Sequence, residues 1–380
     1  VAETLSVQPS EQVRLPDVAD IEKELTRFWR ESSTDERAVV RACTHNLIVV
    51  CEDDDDLAAA TNSVAELMEQ HPGRALVVST VDPEQEGDSG PGLDAFVSTH
   101  CHLAAGGRLV CGEQVTLKAR GEASVELVPK TVLQLLEGSC PVYVWWRRSR
   151  YAADPLWAPF AEVADRCIVS SSGASDPLRI LQDLAELASV DAWNCAPGDL
   201  AWIRLDAWRQ VIAQEFDPEF ALALLDRISA VEIGAGGPAS KRGTTAATAY
   251  LVGWLASRLG WGLDQARGVW RRPDGGEVEV RIVPAPVVHS RLVSSVTIVT
   301  STESGRETVF TAERAAPGQD VIRLRVETEG TCPLPYTVKI ERRDDVPLLS
   351  GELARGSRDP VFREALDAAA RWAMARELSG

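Results

Sequence analysis

The loop Gly234–Gly243, GAGGPASKRG, has residue types that could do chemistry. Glycines, the cations Lys241 and Arg242, the Thr244 hydroxyl and the positive end of a following helix are what a phosphate needs. The spacing is not G-x-x-x-x-G-K-[ST], and no G-x-G-x-x-G follows a strand anywhere, so a surface loop before a capped helix explains the same residues. Cys43 and His45 share one strand face, as do His100 and His102. If those strands were neighbours, four borderline ligands could meet at zinc. The spacing matches no zinc pattern, so thiols and imidazoles satisfied by backbone are the simpler account, and no metal is expected. His71 and Arg74, in HPGR, could hold an anion; the expected role is to cap a helix C-terminus, where cations are favoured. Cys332, in GTCPLP, is the weak redox candidate, with neither a lowered thiol pKa nor a resolving partner in view. Five His and no G-x-S-x-G elbow give no basis for a catalytic triad. These residues predict no catalytic group and no cofactor.

A second set has the composition of contact surfaces rather than of catalysis. Gly198–Asp217, GDLAWIRLDAWRQVIAQEFD, reads as one helix, with Asp199 as N-cap and Pro218 as stop. Leu200, Ile203, Ala207 and Val211 line its inner face, widened by Trp208 and Ile212. Trp202 falls opposite, beside Asp206 and Arg209, so these three form an expected exposed strip. Trp145 and Arg147, in WWRR, are the other interface candidates, with interior packing the ordinary role for whichever Trp faces the core.

The elements that must position these residues fall into two kinds. The second half of Ala38–Cys51, Arg74–Thr80 and Pro141–Arg147 are continuous apolar runs, the pattern of strands buried on both faces. They alternate with helical stretches at 53–70, 126–137, 155–164 and 177–189, and strands 94–103 and 108–119 read as a hairpin. The fold class is therefore an α/β N-terminal domain, with a mixed, largely parallel sheet and helices on both faces, plus an α+β C-terminal domain with an antiparallel sheet. From Glu277 the period is two, over six short strands, and a helix capped by Asp359 closes the chain. The domain bounds read as 1–36 for a polar tail and helix, 37–195, and 196–380.

Composition excludes more than it selects. The net charge of −18 argues against nucleic acid and anionic membranes as partners. No apolar run reaches the ~20 residues of a membrane span and none resembles a signal peptide, so a cytoplasmic protein is expected. Eight scattered cysteines, none in a CxxC pair, fit reduced thiols.

In order along the chain, RACTHNLIVVC, QHPGRALVV, CPVYVWWR, GDLAWIRLDAWRQVIAQEFD, LVGWLASRLGW and GSRDPVFREAL resemble the glucose-6-phosphate dehydrogenase assembly protein family, OpcA. The resemblance runs from about residue 38 to the last helix. It implies a non-catalytic allosteric effector that binds glucose-6-phosphate dehydrogenase and promotes its active form, supporting NADPH production in the oxidative pentose phosphate pathway. It also implies an N-terminal and a C-terminal OpcA domain. Redox control through cysteines, associated with some cyanobacterial members, does not carry over, because Cys332 is the lone cysteine of the C-terminal half. A rival reading is a sugar-phosphate- or nucleotide-binding α/β enzyme that uses loop 234–243.

Overall fold

A computed structural model describes residues 17–32, 39–81, 92–104, 108–149, 153–174, 176–189, 195–236, 239–240, 243–284, 293–301, 305–315, 320–328, 335–340, 344–355 and 359–378. The chain divides into two compact units, the first built from 1–169, 191–198 and 344–357, the second from 170–190, 199–343 and 358–380.

The first unit is a sheet of β1 (Val39–Arg41), β2 (Asn46–Val50), β3 (Arg74–Val81), β4 (Gly92–Leu103), β5 (Leu109–Arg120), β6 (Val142–Trp146), β7 (Arg166–Val169) and β8 (Ala196–Asp199), whose last residue, Asp199, is counted with the second unit. Its order is β1-β5-β3-β2-β6-β7-β8, with β4 antiparallel on β5. The expected hairpin is therefore present, and the rest of the paired core, β5-β3-β2-β6-β7, is parallel. From β2 the chain builds outward through β3 to β5, then returns to place β6 and β7 on the other side. This reversal is the switch point of a doubly wound sheet. Leu47 to Val50 and Ala75 to Val78 have no exposed surface, as expected for strands covered on both faces.

Helix Asp54–Met68 starts where Asp53 accepts from the Asp56 amide, with Asp54, Asp55 and Asp56 in its first turn. Carboxylates there are favoured by the helix dipole. Arg74 does not cap this helix. It is 3 % exposed and bonds Glu113, Glu22 and the Leu135 carbonyl, because a guanidinium at the start of a buried strand needs acceptors from several elements. His71 donates or accepts at Ser350 Oγ, 2.7 Å away. Helix Asp345–Arg355, which the periodicity did not announce, belongs to this unit.

The second unit holds an eight-stranded sheet, β10-β11-β12-β9-β13-β14-β15-β16. The strands are β9 (Ile228–Ala235), β10 (Gly262–Asp264), β11 (Val269–Arg271), β12 (Glu277–Pro284), β13 (Val293–Ser301), β14 (Glu307–Arg314), β15 (Val321–Thr328) and β16 (Tyr336–Lys339). Neighbours are antiparallel except β9 and β12, which run parallel, so the sheet is mixed and largely antiparallel. One face carries Val231, Ile233, Val296, Ile298, Phe310, Ala312 and Leu324, all buried. Phe216 packs on Phe310 of this face with ring centroids 4.5 Å apart. Helices Ala246–Leu259 and Pro360–Leu378 touch at Gly253, where a Cβ would lie 2.3 Å from the Ala365 carbonyl oxygen. Only glycine permits that approach.

Gly198–Asp217 is not one helix. It divides at Leu205 into Leu200–Arg204 and Asp206–Glu215. The Trp202 carbonyl takes the Leu205 amide at 3.1 Å and the Arg209 guanidinium at 2.7 Å, which uses its acceptor capacity in a tightened turn. The helix wheel drawn through residue 205 therefore fails, and with it the exposed Trp202.

Candidate functional site

Ligands of open α/β sheets bind outside the carboxyl ends of the strands at the switch point, here between β2 and β6. The side chains at that place are Cys51 to Asp56 after β2 and Arg147 to Ser149 after β6. A dinucleotide needs glycines at the first turn and a helix N-terminus open to its pyrophosphate. This chain has Glu52 and Asp53 in the turn, and Asp53 fills the helix cap itself. Arg147 forks onto Asp56 at 2.9 and 3.1 Å from Nε. Arg148 donates to the Cys51 carbonyl at 2.9 Å, to Asp154 at 2.6 Å and to Thr80 Oγ1 at 2.5 Å. The Ser149 amide donates to Glu52, and Lys118 pairs with Asp54 at 2.9 Å. Both arginines that could face an anion are thus engaged by the chain's own carboxylates and carbonyls. The residues do not fit a dinucleotide. Cys51, buried at the same strand end, is pushed up to about 12 chiefly by burial, so it is no thiolate nucleophile at neutral pH.

The segments quoted for the family resemblance in the C-terminal half converge on a second place. Asp199 is the N-cap expected, and it is 1 % exposed. It accepts from the Ala201 amide at 2.8 Å, the Ser171 amide at 3.1 Å and Tyr250 Oη at 2.8 Å. Burial raises its pKa, and the donors from Ser171, Ala201 and Tyr250 oppose the rise. Trp202 is 3 % exposed, a correction to the exposed strip. Its ring lies 5.7 Å from Tyr250 and 5.6 Å from Phe362, with Arg209 stacked 3.4 Å from its centroid. Its indole N–H faces Asp359 at 3.4 Å, while Asp359 caps the last helix through the Phe362 amide at 3.0 Å. Asp206 pairs with Arg209, which is itself buried. Trp202, Tyr250 and Phe362 are therefore one aromatic cluster packed beside a buried carboxylate, Asp199.

The other candidates are dispersed. Trp145 and Trp146 are both 1 % exposed, so neither is a surface anchor. Arg147 covers Trp145 at 4.3 Å. Strand order separates the imagined zinc ligands, because β2 lies between β3 and β6 whereas β4 pairs with β5. His100 bonds Gln114 at 2.9 Å, and buried His45 is lowered to about 4 by burial and by His71. Among the described residues no group of three metal-ligating side chains meets. Lys241, Arg242 and Cys332 lie outside the described residues. Thr244 is fully buried, and the adjoining helix end is closed by a Thr245–Thr248 capping box rather than left open for an anion.

Reduced thiols were expected throughout, yet Cys101–Cys111 and Cys167–Cys195 are disulfides. Cys101 and Cys111 stand directly opposite across β4 and β5, a register that sequence spacing does not disclose. Cys43, Cys51 and Cys140 are free.

Family models match most of the chain. Residues 64–186 match the glucose-6-phosphate dehydrogenase subunit N-terminal domain, and 196–366 match the C-terminal domain of the same subunit. The OxPP cycle protein OpcA of Synechocystis sp. is 31 % identical over 186 residues, 48 % of this chain and 37 % of the relative. That of Nostoc punctiforme is 25 % identical over 322 residues, 79 % of this chain and 65 % of the relative. The chain thus spans 37 % to 65 % of the length of these relatives. Among solved structures, an oxidoreductase from Sinorhizobium meliloti aligns with 89 % of this chain and 97 % of its own, at 11 % identity and a TM-score of 0.46. A mutant 3-ketoreductase from Actinomadura kijaniata aligns with 87 % and 96 %, at 11 % identity and 0.42. Likenesses that distant carry no argument about activity. No helix among the described residues is long and apolar enough to cross a membrane.

Proposed function

This chain belongs to the glucose-6-phosphate dehydrogenase assembly family OpcA, and on that premise we propose that it is a non-catalytic effector. It binds glucose-6-phosphate dehydrogenase and favours that enzyme's active form, supporting the oxidative pentose phosphate pathway in the cytoplasm. The observation that supports the non-catalytic part is the switch-point crevice. An acidic turn and two engaged arginines stand where a doubly wound enzyme would receive an anionic cofactor. Phosphate would meet the carboxylates of Glu52 to Asp56, exposed or partly exposed, at close range. An effector needs no such site, but it must bind the active state of its target more tightly than the inactive one. Trp202 and Trp145 are sealed, so a partner reaches this chain through other surface.

The test is the rate of the same organism's glucose-6-phosphate dehydrogenase, with this chain titrated in and glucose 6-phosphate varied. Saturable activation, with the chain alone inactive, is expected. No activation and no co-elution with the enzyme would overturn the proposal.

A further inference from the structure

We propose that Cys43 and Cys140 are a thiol pair that closes to a reversible disulfide, a modification site separate from the Cys101–Cys111 and Cys167–Cys195 bridges. Cys43 lies in the turn between β1 and β2, and Cys140 stands two residues before β6. Their sulfurs are 3.8 Å apart, although 97 positions separate them in the chain. Both are free thiols and both are partly exposed, so a small reagent can reach them. Cys51, also free, is buried beyond the far end of β2. Neither member of the pair is Cys332, the redox candidate of the sequence.

The two turns are braced so that the sulfurs stay together. Asn46, which has no exposed surface, ties one turn to the other. Its amide donates to the Pro141 carbonyl at 2.8 Å. Its side chain donates to the carbonyls of Glu137 and Cys140 at 3.0 and 3.2 Å and accepts from the Glu137 amide at 2.8 Å. The Cys140 thiol itself donates to the Cys43 carbonyl, 3.3 Å away. A disulfide bond is about 2.05 Å long, so the sulfurs have about 1.8 Å left to close. Holding them this near replaces a chance encounter by an intramolecular step.

The step needs an oxidant, and a low-molecular-weight disulfide such as oxidised glutathione supplies it. One of the pair, as its thiolate, attacks the oxidant, and one small thiol leaves. The other thiolate then attacks the protein sulfur of that mixed disulfide. The Cys43–Cys140 bond forms, the second small thiol leaves, and the two thiol protons pass to the leaving groups. The protein has given up two electrons and the oxidant has gained them. Burial pushes the Cys43 thiol up to about 11, helped by Cys140 and Glu137 and opposed by Arg74. A thiol that stays protonated lends the reduced form no thiolate stabilisation, which slows the step and favours the bridge at equilibrium.

The bridge pins two turns that serve one charge group. Glu137 pairs with Arg41, two residues before Cys43, and meets Arg74 at 3.1 Å. Arg41 also meets buried Glu113 at 2.8 Å. A covalent tie across 97 positions removes much of the freedom of the unfolded chain, so the oxidised form is the more stable one.

The experiment uses the whole chain with no enzyme present, so its outcome is independent of the function proposed above. Samples equilibrated with oxidised or with reduced glutathione are alkylated, digested without reductant and read by mass spectrometry. Oxidation should yield peptides joined through Cys43 and Cys140, and reduced glutathione should part them again. Cys140→Ser should abolish the joined peptides and leave Cys43 as a mixed disulfide with glutathione. On oxidation the melting temperature of the wild type should rise by at least about 5 °C more than that of Cys140→Ser, which keeps every other cysteine. Alkylation of both Cys43 and Cys140 in the oxidised sample, a bridge from either to another cysteine, a bridge that reduced glutathione does not open, or equal rises in wild type and variant would each overturn the proposal.

Discussion

In the first unit Arg74, 3 % exposed, lies 2.8 Å from Glu113, 2 % exposed, with Glu22, Arg41 and Glu137 completing the group. Arg166 and Glu352 are likewise buried together. In the second unit Glu215 is 4 % exposed and its Oε1 has no hydrogen-bond partner. Burial alone pushes Glu215 up to about 8. Asp199 is buried against neutral donors. The first unit thus buries these charges with their opposites, whereas Glu215 and Asp199 of the second are acids buried away from cations. A paired charge is costly to orphan, and an unpaired acid is stable while it keeps its proton.

The largest effect should come from breaking a pair. Glu113→Ala leaves Arg74 buried with fewer acceptors and should cost about 3–5 kcal/mol in urea unfolding. A loss below about 1 kcal/mol would mean that water reaches Arg74. Next is Glu215. Its folded pKa is above its unfolded value of about 4.5, so the folded state holds a proton that the unfolded chain releases. Stability is therefore full below pH ~4.5 and falls as pH rises towards 8. Glu215→Gln should leave stability at pH 4 nearly unchanged and raise it at pH 8.5 by on the order of 2–4 kcal/mol. Melting curves that keep the wild-type slope between those pH values would exclude Glu215 as their source. The smallest of the three is Tyr250→Phe, which removes one donor from Asp199. A loss of about 1–2 kcal/mol in urea unfolding is expected, because the buried carboxylate keeps one donor fewer.

What was legible in the sequence was local. Asp199, Asp53 and Asp359 announce helix starts through side-chain oxygens a few residues from the amides they bond, and Asn46–Val50 shows its burial by composition. What was hidden needed partners from afar. Trp202 is covered by Tyr250 and Phe362, 48 and 160 positions on. The break at Leu205 carries no proline or glycine, so no breaker residue marked it.

The clasp between β2 and β6 has a mechanical consequence. In a doubly wound sheet the two halves of the winding part company at this seam, and the loops above it are ordinarily slack. Here Arg147 binds Asp56 across it, and Arg148 binds the Cys51 carbonyl. The exposed carboxylates of Glu52, Asp53 and Asp55 therefore stand on a stiff mount instead of a swinging one. A cationic group that touches them meets a negative field already in place, with little ordering entropy left to lose.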